Sequence, residues 1–379
     1  MKRLQTYIDR QKSVVTGKQN LEHLYTFKDF PVFFGCVDTP IEDDLVADMG
    51  WYIDPESGVI QLTKLVPLEI LYQSQHMDGT GAVWKKHNEA FRDFILAENV
   101  RNVLEIGGAH GVLADLVTAQ SKNVHWTIVE PNPLHAGNER ISIIKAFFDE
   151  HFSYDKPVDT IVFAHTLEHA YDPFLFLKAC AKFLPEGNRL IFAYPNLESW
   201  LRQKFTNAIN FEHTMLLTDV HLDHLLPKAG FKIIKKHVYE DHSFFYVAER
   251  DNSVVVPSIP NTYSAYKAIF QDFISYHENL IKNLNAKIAA ATEPVYLFGA
   301  HIFSTYLIAF GLNTRKIISI LDNSPIKQKK RLYATDFIVE SPKILAGKGK
   351  VNLILKAGVH TESIKKDIIE NIDPDVVFW

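Results

Sequence analysis

Regular alternation of short apolar runs with helix-length segments is the feature that most constrains how this chain can fold. From Phe91 onward, β-branched and aromatic residues concentrate in the runs NVLEIG, VHWTIVE, DTIVFAH and RLIFAYP, which are separated by stretches long enough for a helix. Strands that alternate with helices in this way form a parallel, doubly wound sheet. The sequence therefore predicts an α/β core that begins near Phe91.

Two further patterns extend this prediction along the chain. The runs FKIIKKHVYE and FFYVAER follow the core closely enough to pair as an antiparallel hairpin, and a second alternating unit begins at PVYLFGAH. Between them lie a proline-rich linker and a helical pattern at 264–291. We expect a cap module at 1–90, a core domain at 91–250, a linker and long helix at 251–293, and a second Rossmann-like domain at 294–379.

Composition excludes several classes of protein. The formal net charge of −5 is unlike the basic excess of a dedicated nucleic-acid-binding protein. Two cysteines, Cys36 and Cys180, are too few for a disulfide framework or a CxxC…CxxC zinc site. The first residues lack the apolar region of a secretory signal, and no run of 18 apolar residues occurs. We expect a cytoplasmic protein without nucleic-acid or membrane partners, acting as a monomer or homodimer.

A glycine turn, GGAHG at Gly107–Gly111, joins the first core strand to a helix. Glycine lets the backbone approach a ligand closely. Glu130 ends the next strand, where an acidic residue can accept hydrogen bonds from ribose hydroxyls. The turn is not a GxGxxG dinucleotide signature, and Glu105 just before it would repel a phosphate but attract an amine. Together these features favour S-adenosylmethionine as the cofactor.

Residues 91–249 resemble class I S-adenosylmethionine-dependent methyltransferases. EIGGAHG is similar to the first motif of that family, with Ala109 in place of the usual middle glycine, and VEPN, HTLEHAYDP and LIFAYPN are similar to later ones. The resemblance implies a class I methyltransferase core in which Glu105, Gly107 and Gly111 surround the methionine end and Glu130 holds the ribose. It also implies that two residues, Phe148 and His165, border the adenine or the sulfonium.

More of the chain resembles the three-domain sugar C-methyltransferases, which carry a zinc-binding N-terminal module and a C-terminal Rossmann-like domain. The segment NFEHT matches their YxEH motif, so Glu212 and His213 correspond to its acid–histidine pair, while Asn210 replaces the tyrosine. Of the zinc-binding cysteines only Cys36 remains, so we expect no metal. LYQSQHMDGTG resembles the family's entry to the cofactor site. It implies that Tyr72 lies near the cofactor and that two residues, Gln73 and His76, lie near the substrate.

Carbon methylation needs a base that removes the proton beside a carbonyl, and histidine has a suitable pKa. We expect His213 to be this base, Glu212 to orient it or to bind the sugar, and His169 to be a second catalytic candidate. Asn196 and Asn210 are candidates for substrate binding. His301, in a second glycine turn (FGAH), is a candidate for contact with the nucleotide half of a sugar nucleotide.

Other functions stay open on the sequence alone. The enzyme could instead methylate nitrogen or oxygen of an amino sugar or another small molecule, because a neutral amine needs less from a base. A non-catalytic nucleotide-sugar-binding protein is a third reading, although retention of Glu105, Glu130 and the glycines counts against it. We expect the basic stretch at 327–331 to be a solvated loop.

Overall fold

The computed structural model describes residues 1–72, 81–149 and 151–379. The first of these ranges contains strands β1 (Lys2–Arg3), β2 (Ile8–Asp9), β3 (Glu22–Pro31), β4 (Cys36–Val37), β5 (Leu45–Ile53), β6 (Ile60–Leu62) and β7 (Lys64–Leu65), and helix α1 (Leu68–Leu71). β5 pairs with β1, β3 and β6. Its residues Met49, Trp51 and Ile53 are fully buried at every second position, as expected for a strand that packs one face.

The core follows in the second and third described ranges. Its elements are α2 (Ala82–Leu96), β8 (Asn102–Ile106), α3 (Val112–Gln120), β9 (His125–Val129), β10 (Ile141–Ile144), β11 (Thr160–Ala164), α4 (Pro173–Phe183), β12 (Arg189–Pro195), α5 (Leu197–Arg202), β13 (Met215–Leu216), α6 (Asp219–Ala229), β14 (Phe231–Tyr239) and β15 (Ser243–Arg250). Seven of the strands form one sheet in the order β10-β9-β8-β11-β12-β15-β14. The first five are parallel, and β15 and β14 are antiparallel. The predicted strands and terminal hairpin are confirmed, whereas the edge strand β10 was not predicted.

Apolar side chains cover both faces of this sheet. On one face, α2 and α3 bring Phe91 and Val117 against Trp126 and Phe245. On the other face, α4 and α6 pack in a larger cluster that continues into the N-terminal sheet. Burial on both faces explains why the core strands read as nearly continuous apolar runs.

The strand order reverses beside β8, because β9 lies on one side of it and β11 on the other. In open α/β sheets, ligands bind beyond the carboxyl ends of the strands at such a reversal. The glycine turn follows β8 at this point, so the sheet topology and the sequence motif indicate the same ligand-binding position.

The N-terminal sheet also reaches this place. β13 pairs with β6 through Met215 and Leu216, so a segment that follows the core strands completes the N-terminal sheet. Arg10 donates hydrogen bonds to the carbonyl oxygens of Leu62 and Tyr171 at 2.9 Å each. The two parts of the chain are therefore joined by backbone pairing as well as by the shared apolar cluster.

The last part of the chain contains α7 (Tyr263–Ala290), β16 (Val295–Phe298), α8 (Ile302–Ala309), β17 (Ile317–Leu321), β18 (Arg331–Leu332), β19 (Val339–Glu340), β20 (Val351–Leu355), α9 (Thr361–Asn371) and β21 (Val376–Phe378). Five of these strands form a parallel sheet in the order β19-β17-β16-β20-β21. β18 pairs with β4, and Arg331 beside that pairing forms a buried ion pair with Asp44 at 2.5 Å. The Cys36 thiol lies 3.4 Å from the carbonyl oxygen of Ala300. In the described ranges, no helix has the length and apolar character needed to cross a membrane.

Candidate functional site

A cavity of about 410 Å³ lies at the carboxyl ends of β8, β9 and β11. One part of its lining comes from the glycine turn and the end of β9, and another part comes from the segments after β11 and before β13. The lining includes Tyr72, Gly107, Glu130, Phe148, His165, Glu168, His169, Asn210, Glu212 and His213. Most of the residues that the sequence singled out are therefore brought together, although they come from distant parts of the chain.

The glycine turn needs glycine where it faces the cavity. Gly107 has a φ of +79°, and a Cβ atom on it would lie 2.8 Å from Oγ1 of Thr166. A side chain here would strain the backbone and displace Thr166. The turn thus presents bare backbone to the cavity, as close approach of a ligand requires.

Glu130 closes the same end of the cavity. Its carboxylate accepts hydrogen bonds from the backbone N–H of Asn132 at 2.9 Å and of Ala109 at 3.4 Å. The Asn132 side chain in turn donates to the backbone carbonyl of Tyr72. These contacts fix the carboxylate at the end of β9 and link the glycine turn to the residues that follow α1.

Two residues expected at the cofactor lie behind the turn instead. Glu105 is absent from the cavity lining and is buried; its Oε2 accepts a hydrogen bond from Nε1 of Trp126 at 2.6 Å. Burial raises the pKa of Glu105 to about 7. Gly111 is the N-cap of α3 in the left-handed conformation, packed against His135. Neither residue lines the cavity, and the Glu105 carboxylate contacts Trp126 instead.

His213 is held by backbone groups. Its Nδ1 lies 3.0 Å from the carbonyl oxygen of Ala208, and its own backbone N–H donates to Oδ1 of Asn210 at 2.7 Å. Because a neutral imidazole has one N–H, donation by Nδ1 leaves the lone pair on Nε2. Burial lowers the pKa of His213, which favours the neutral ring. The His213 ring is therefore oriented by the Ala208 carbonyl and not, as expected from the sequence, by Glu212. The Asn210 side chain holds the backbone of the loop at His213.

Glu168, His169 and Glu212 form the rest of this side of the cavity. Nδ1 of His169 lies 3.9 Å from Oε2 of Glu212, and Nε2 lies 4.0 Å from Oε1 of Glu168. The His169 and His213 ring centroids are 5.2 Å apart. Burial lowers the pKa of His169 to about 4 and raises that of Glu212 to about 7.

Glu168 was not recognised from the sequence. It is 1% exposed, burial raises its pKa, and its Oε2 has no hydrogen-bond partner among the described residues. Its Oε1 lies 3.5 Å from Nδ1 of His165. A signal for it was present in HTLEHAYDP, where the acid stands directly beside the histidine that drew attention.

Two of the remaining candidates, Asn196 and His301, lie outside the cavity lining. The Asn196 side chain caps α5 by accepting the backbone N–H of Ser199 at 3.1 Å, which fits a structural role. His301 lies at the start of α8, with its ring centroid 6.0 Å from that of Phe34, and only Phe34 reaches the cavity. Gln73 and His76 fall outside the described residues. In the basic stretch, Lys327 and Arg331 pair with Asp322 and Asp44, so this stretch is only partly a solvated loop.

Charge in the cavity has one sign. Glu130, Glu168 and Glu212 line it, and the described lining residues include no lysine or arginine. The aromatic side chains of Phe147, Phe148, Phe176 and Trp200 make up much of the remaining wall. Such a cavity favours flat apolar and cationic groups over phosphates.

Comparison with known families finds a match to a methyltransferase domain over part of the chain. The family model described as "Methyltransferase domain" matches residues 83–236, the range that contains the glycine turn, Glu130 and the His169–His213 side of the cavity. A curated protein of Mycobacterium tuberculosis (strain H37Rv), named a probable S-adenosylmethionine-dependent methyltransferase, is 27% identical over 151 residues. The aligned part covers 39% of this chain and 55% of that protein, so the chain spans about half the length of the curated relatives it matches.

Two solved structures align with less than half of this chain. Human N-acetylserotonin methyltransferase in complex with SAM aligns with 45% of this chain and 53% of its own, with a TM-score of 0.40 and 16% identity. The mitomycin 7-O-methyltransferase aligns with 43% of this chain and 54% of its own, with a TM-score of 0.36 and 14% identity.

Proposed function

We propose that this chain methylates a sugar linked to a nucleotide, at a carbon beside a keto group. The methyl donor is S-adenosylmethionine, because residues 83–236 match a methyltransferase domain and a curated relative is named a probable S-adenosylmethionine-dependent methyltransferase. The observation that carries this proposal is the single cavity that joins the Gly107 turn and Glu130 to His213. A methyl transferase must hold donor and acceptor in line in one enclosed space.

The cofactor end of the cavity fits S-adenosylmethionine. When bound, this cofactor supplies an electrophilic methyl group on a sulfonium. The bare backbone at Gly107 admits close contact, Glu130 offers carboxylate oxygens to ribose hydroxyls, and Phe148 offers an aromatic face. The absence of Lys and Arg from the described lining also suits a cationic sulfonium.

His213 acts as the base in this proposal. Its Nε2 lone pair is available because Nδ1 is directed at the Ala208 carbonyl. Proton removal beside a carbonyl creates an enolate carbon, which attacks the methyl group. Glu168 and His169 lie beside His213: Nε2 of His169 is 4.0 Å from Oε1 of Glu168, and the His169 and His213 ring centroids are 5.2 Å apart. The nucleotide has to lie outside the carboxylate-lined cavity, so only the sugar enters it.

Methylation of nitrogen or oxygen is the second candidate, and the charge of the cavity favours it. Glu168 and Glu212 would attract a protonated amino group, and a neutral His169 could accept the proton that the amine loses. This version uses the same cofactor end and differs only in the acceptor.

Turnover with S-adenosylmethionine and two matched acceptor panels tests these proposals. One panel holds nucleotide-linked keto sugars, and the other holds amino sugars with and without a nucleotide. Carbon methylation requires deuterium exchange beside the carbonyl in heavy water, together with a product in which the new methyl is bonded to carbon. N-methylated product without exchange would replace the first proposal by the second. Absence of S-adenosylmethionine binding would contradict both.

A further inference from the structure

We propose that His87, His165 and His242 form a binding site for a divalent transition-metal ion of the zinc type. One ring nitrogen of each residue lies within 4.8 Å of the others. His87 is in α2, His165 follows β11, and His242 is in the turn between β14 and β15. Three separate elements thus converge on one point beside the cavity, and the site does not depend on the proposed methyl transfer.

The spacing of the rings suits a shared ion. Nε2 of His87 lies 3.4 Å from Nε2 of His165. Two imidazole nitrogens at about 2.0–2.1 Å from a tetrahedral zinc ion are themselves about 3.3–3.4 Å apart. The His87 ring centroid lies 5.0 Å from that of His165 and 4.9 Å from that of His242, and the His165 and His242 centroids are 5.6 Å apart.

The outer ring nitrogens have oxygen partners, as metal-binding histidines require. Nδ1 of His165 lies 3.5 Å from Oε1 of Glu168, and Nδ1 of His87 lies 3.3 Å from Oδ1 of Asn88. Nδ1 of His242 lies 2.7 Å from Oγ of Ser243, and this hydroxyl also lies 3.2 Å from Nε2 of His165, the nitrogen that would face the ion. Such partners fix the tautomer and direct the other nitrogen at the metal.

Aromatic side chains surround the three histidines, and the site opens to the cavity. The indole of Trp84 lies 4.9 Å from the His165 ring and 5.0 Å from the His242 ring, and Trp200 lies 5.6 Å from His242. His165 has a φ of +52°, in the left-handed region that few non-glycine residues adopt. Because His165, Trp84 and Trp200 line the cavity, a fourth coordination position can face it and take water or a donor atom of a bound molecule.

A second group, Glu168, His169 and His213, also brings three possible ligand atoms within 4.8 Å. We assign the ion to the histidine group because three imidazoles are a ligand set of zinc sites with an open fourth position, and Glu168 already serves as the outer partner of His165. The assignment revises the sequence-based expectation of no metal, which considered only cysteine ligands.

The test is binding of Zn²⁺ to the full-length, chelator-treated protein by calorimetry, with Co²⁺ as a spectroscopic substitute. We expect one ion per chain and the intense visible absorption of tetrahedral Co²⁺. His242→Asn, in a turn, should weaken Zn²⁺ binding by more than about 100-fold, because loss of an outer partner alone costs about 10–100-fold. His237→Asn, an exposed position on β14, is the matched control and should bind as the wild type does.

Two results would overturn the assignment. The first is wild-type protein that binds Zn²⁺ no more tightly than the His242→Asn variant. The second is loss of binding in His213→Asn but not in His242→Asn, which would place the ion on the other group. If His242→Asn unfolds, the wild-type Co²⁺ spectrum still decides, because octahedral Co²⁺ would exclude a three-histidine tetrahedral site.

Discussion

Nδ1 of His213 lies 3.0 Å from the carbonyl oxygen of Ala208, and this hydrogen bond decides which ring nitrogen carries the proton. A backbone carbonyl can only accept, so Nδ1 carries the proton and Nε2 the lone pair. The tautomer of the proposed base is thus set by the short helical turn at Thr206–Ala208, and not by the neighbouring Glu212.

Replacement of His213 by asparagine should abolish most turnover. General-base assistance contributes about 10²–10⁴-fold, so we expect kcat to fall by that factor while S-adenosylmethionine affinity stays close to that of the wild type. Steady-state kinetics and calorimetry measure the two effects separately. His125→Asn, at the exposed start of β9 and away from the cavity, is the control. Normal turnover in His213→Asn would remove His213 from the mechanism.

Replacement of Glu130 by alanine should weaken S-adenosylmethionine binding by about 10–100-fold, since hydrogen bonds to charged groups contribute about 1.5–3 kcal/mol. The variant loses both the proposed ribose contact and the acceptor for the Asn132 N–H. Glu130→Gln keeps one side-chain oxygen, so its affinity for S-adenosylmethionine should lie between those of the wild type and Glu130→Ala. Calorimetry compares them with Glu139→Ala, an exposed acid in the same region. Equal affinities for Glu130→Ala and Glu139→Ala would contradict the role of Glu130.

Replacement of Glu105 by glutamine should change how stability depends on pH. Burial raises the pKa of Glu105 to about 7, above the value of about 4.3 in an unfolded chain. The folded state therefore holds this proton more tightly, and wild-type stability is lost as pH rises through that window. Glutamine does not ionise, so its advantage over wild type should grow by about 2–3 kcal/mol between about pH 4 and about pH 7, then level off.

Thermal melting of both proteins across that range measures this difference. Trp126→Phe, which removes the donor to Glu105, is a useful companion because it should make the ionised carboxylate costlier still. A constant difference between wild type and Glu105→Gln at all pH values would show that Glu105 does not titrate in this window.

Replacement of Arg331 by alanine should destabilise the protein by about 3–5 kcal/mol, because it leaves a buried carboxylate unpaired. Asp44 is 1% exposed on its side chain and also accepts the backbone N–H of Ala334 at 2.7 Å. The double variant Asp44→Asn, Arg331→Met should lose less. Urea unfolding measures both, with Lys366→Ala as the control for an exposed ion pair. A loss in Arg331→Ala as small as in Lys366→Ala would contradict the prediction.

The parts of the site that the sequence predicted are those with local patterns. Gly107 and Glu130 follow apolar runs at fixed places in an alternating sheet, and Glu212–His213 stand in a short motif. The position of Glu105 could not be predicted, because the choice between the cavity and the indole of Trp126 depends on which face of β8 it occupies. His87 and His242 are far apart in the chain, so no spacing connects them, and only the strand order together with the packing of α2 on the sheet brings both to His165.

The pairing of β13 with β6 has a consequence for anyone who wishes to change the substrate of this protein. β13 begins two residues after His213, so the loop that carries the proposed base ends as a strand of the N-terminal sheet. Exchanging the first 65 residues for those of a relative would alter the backbone anchor of that loop. Redesign of acceptor choice therefore has to treat β6 and the His213 loop as one unit of exchange.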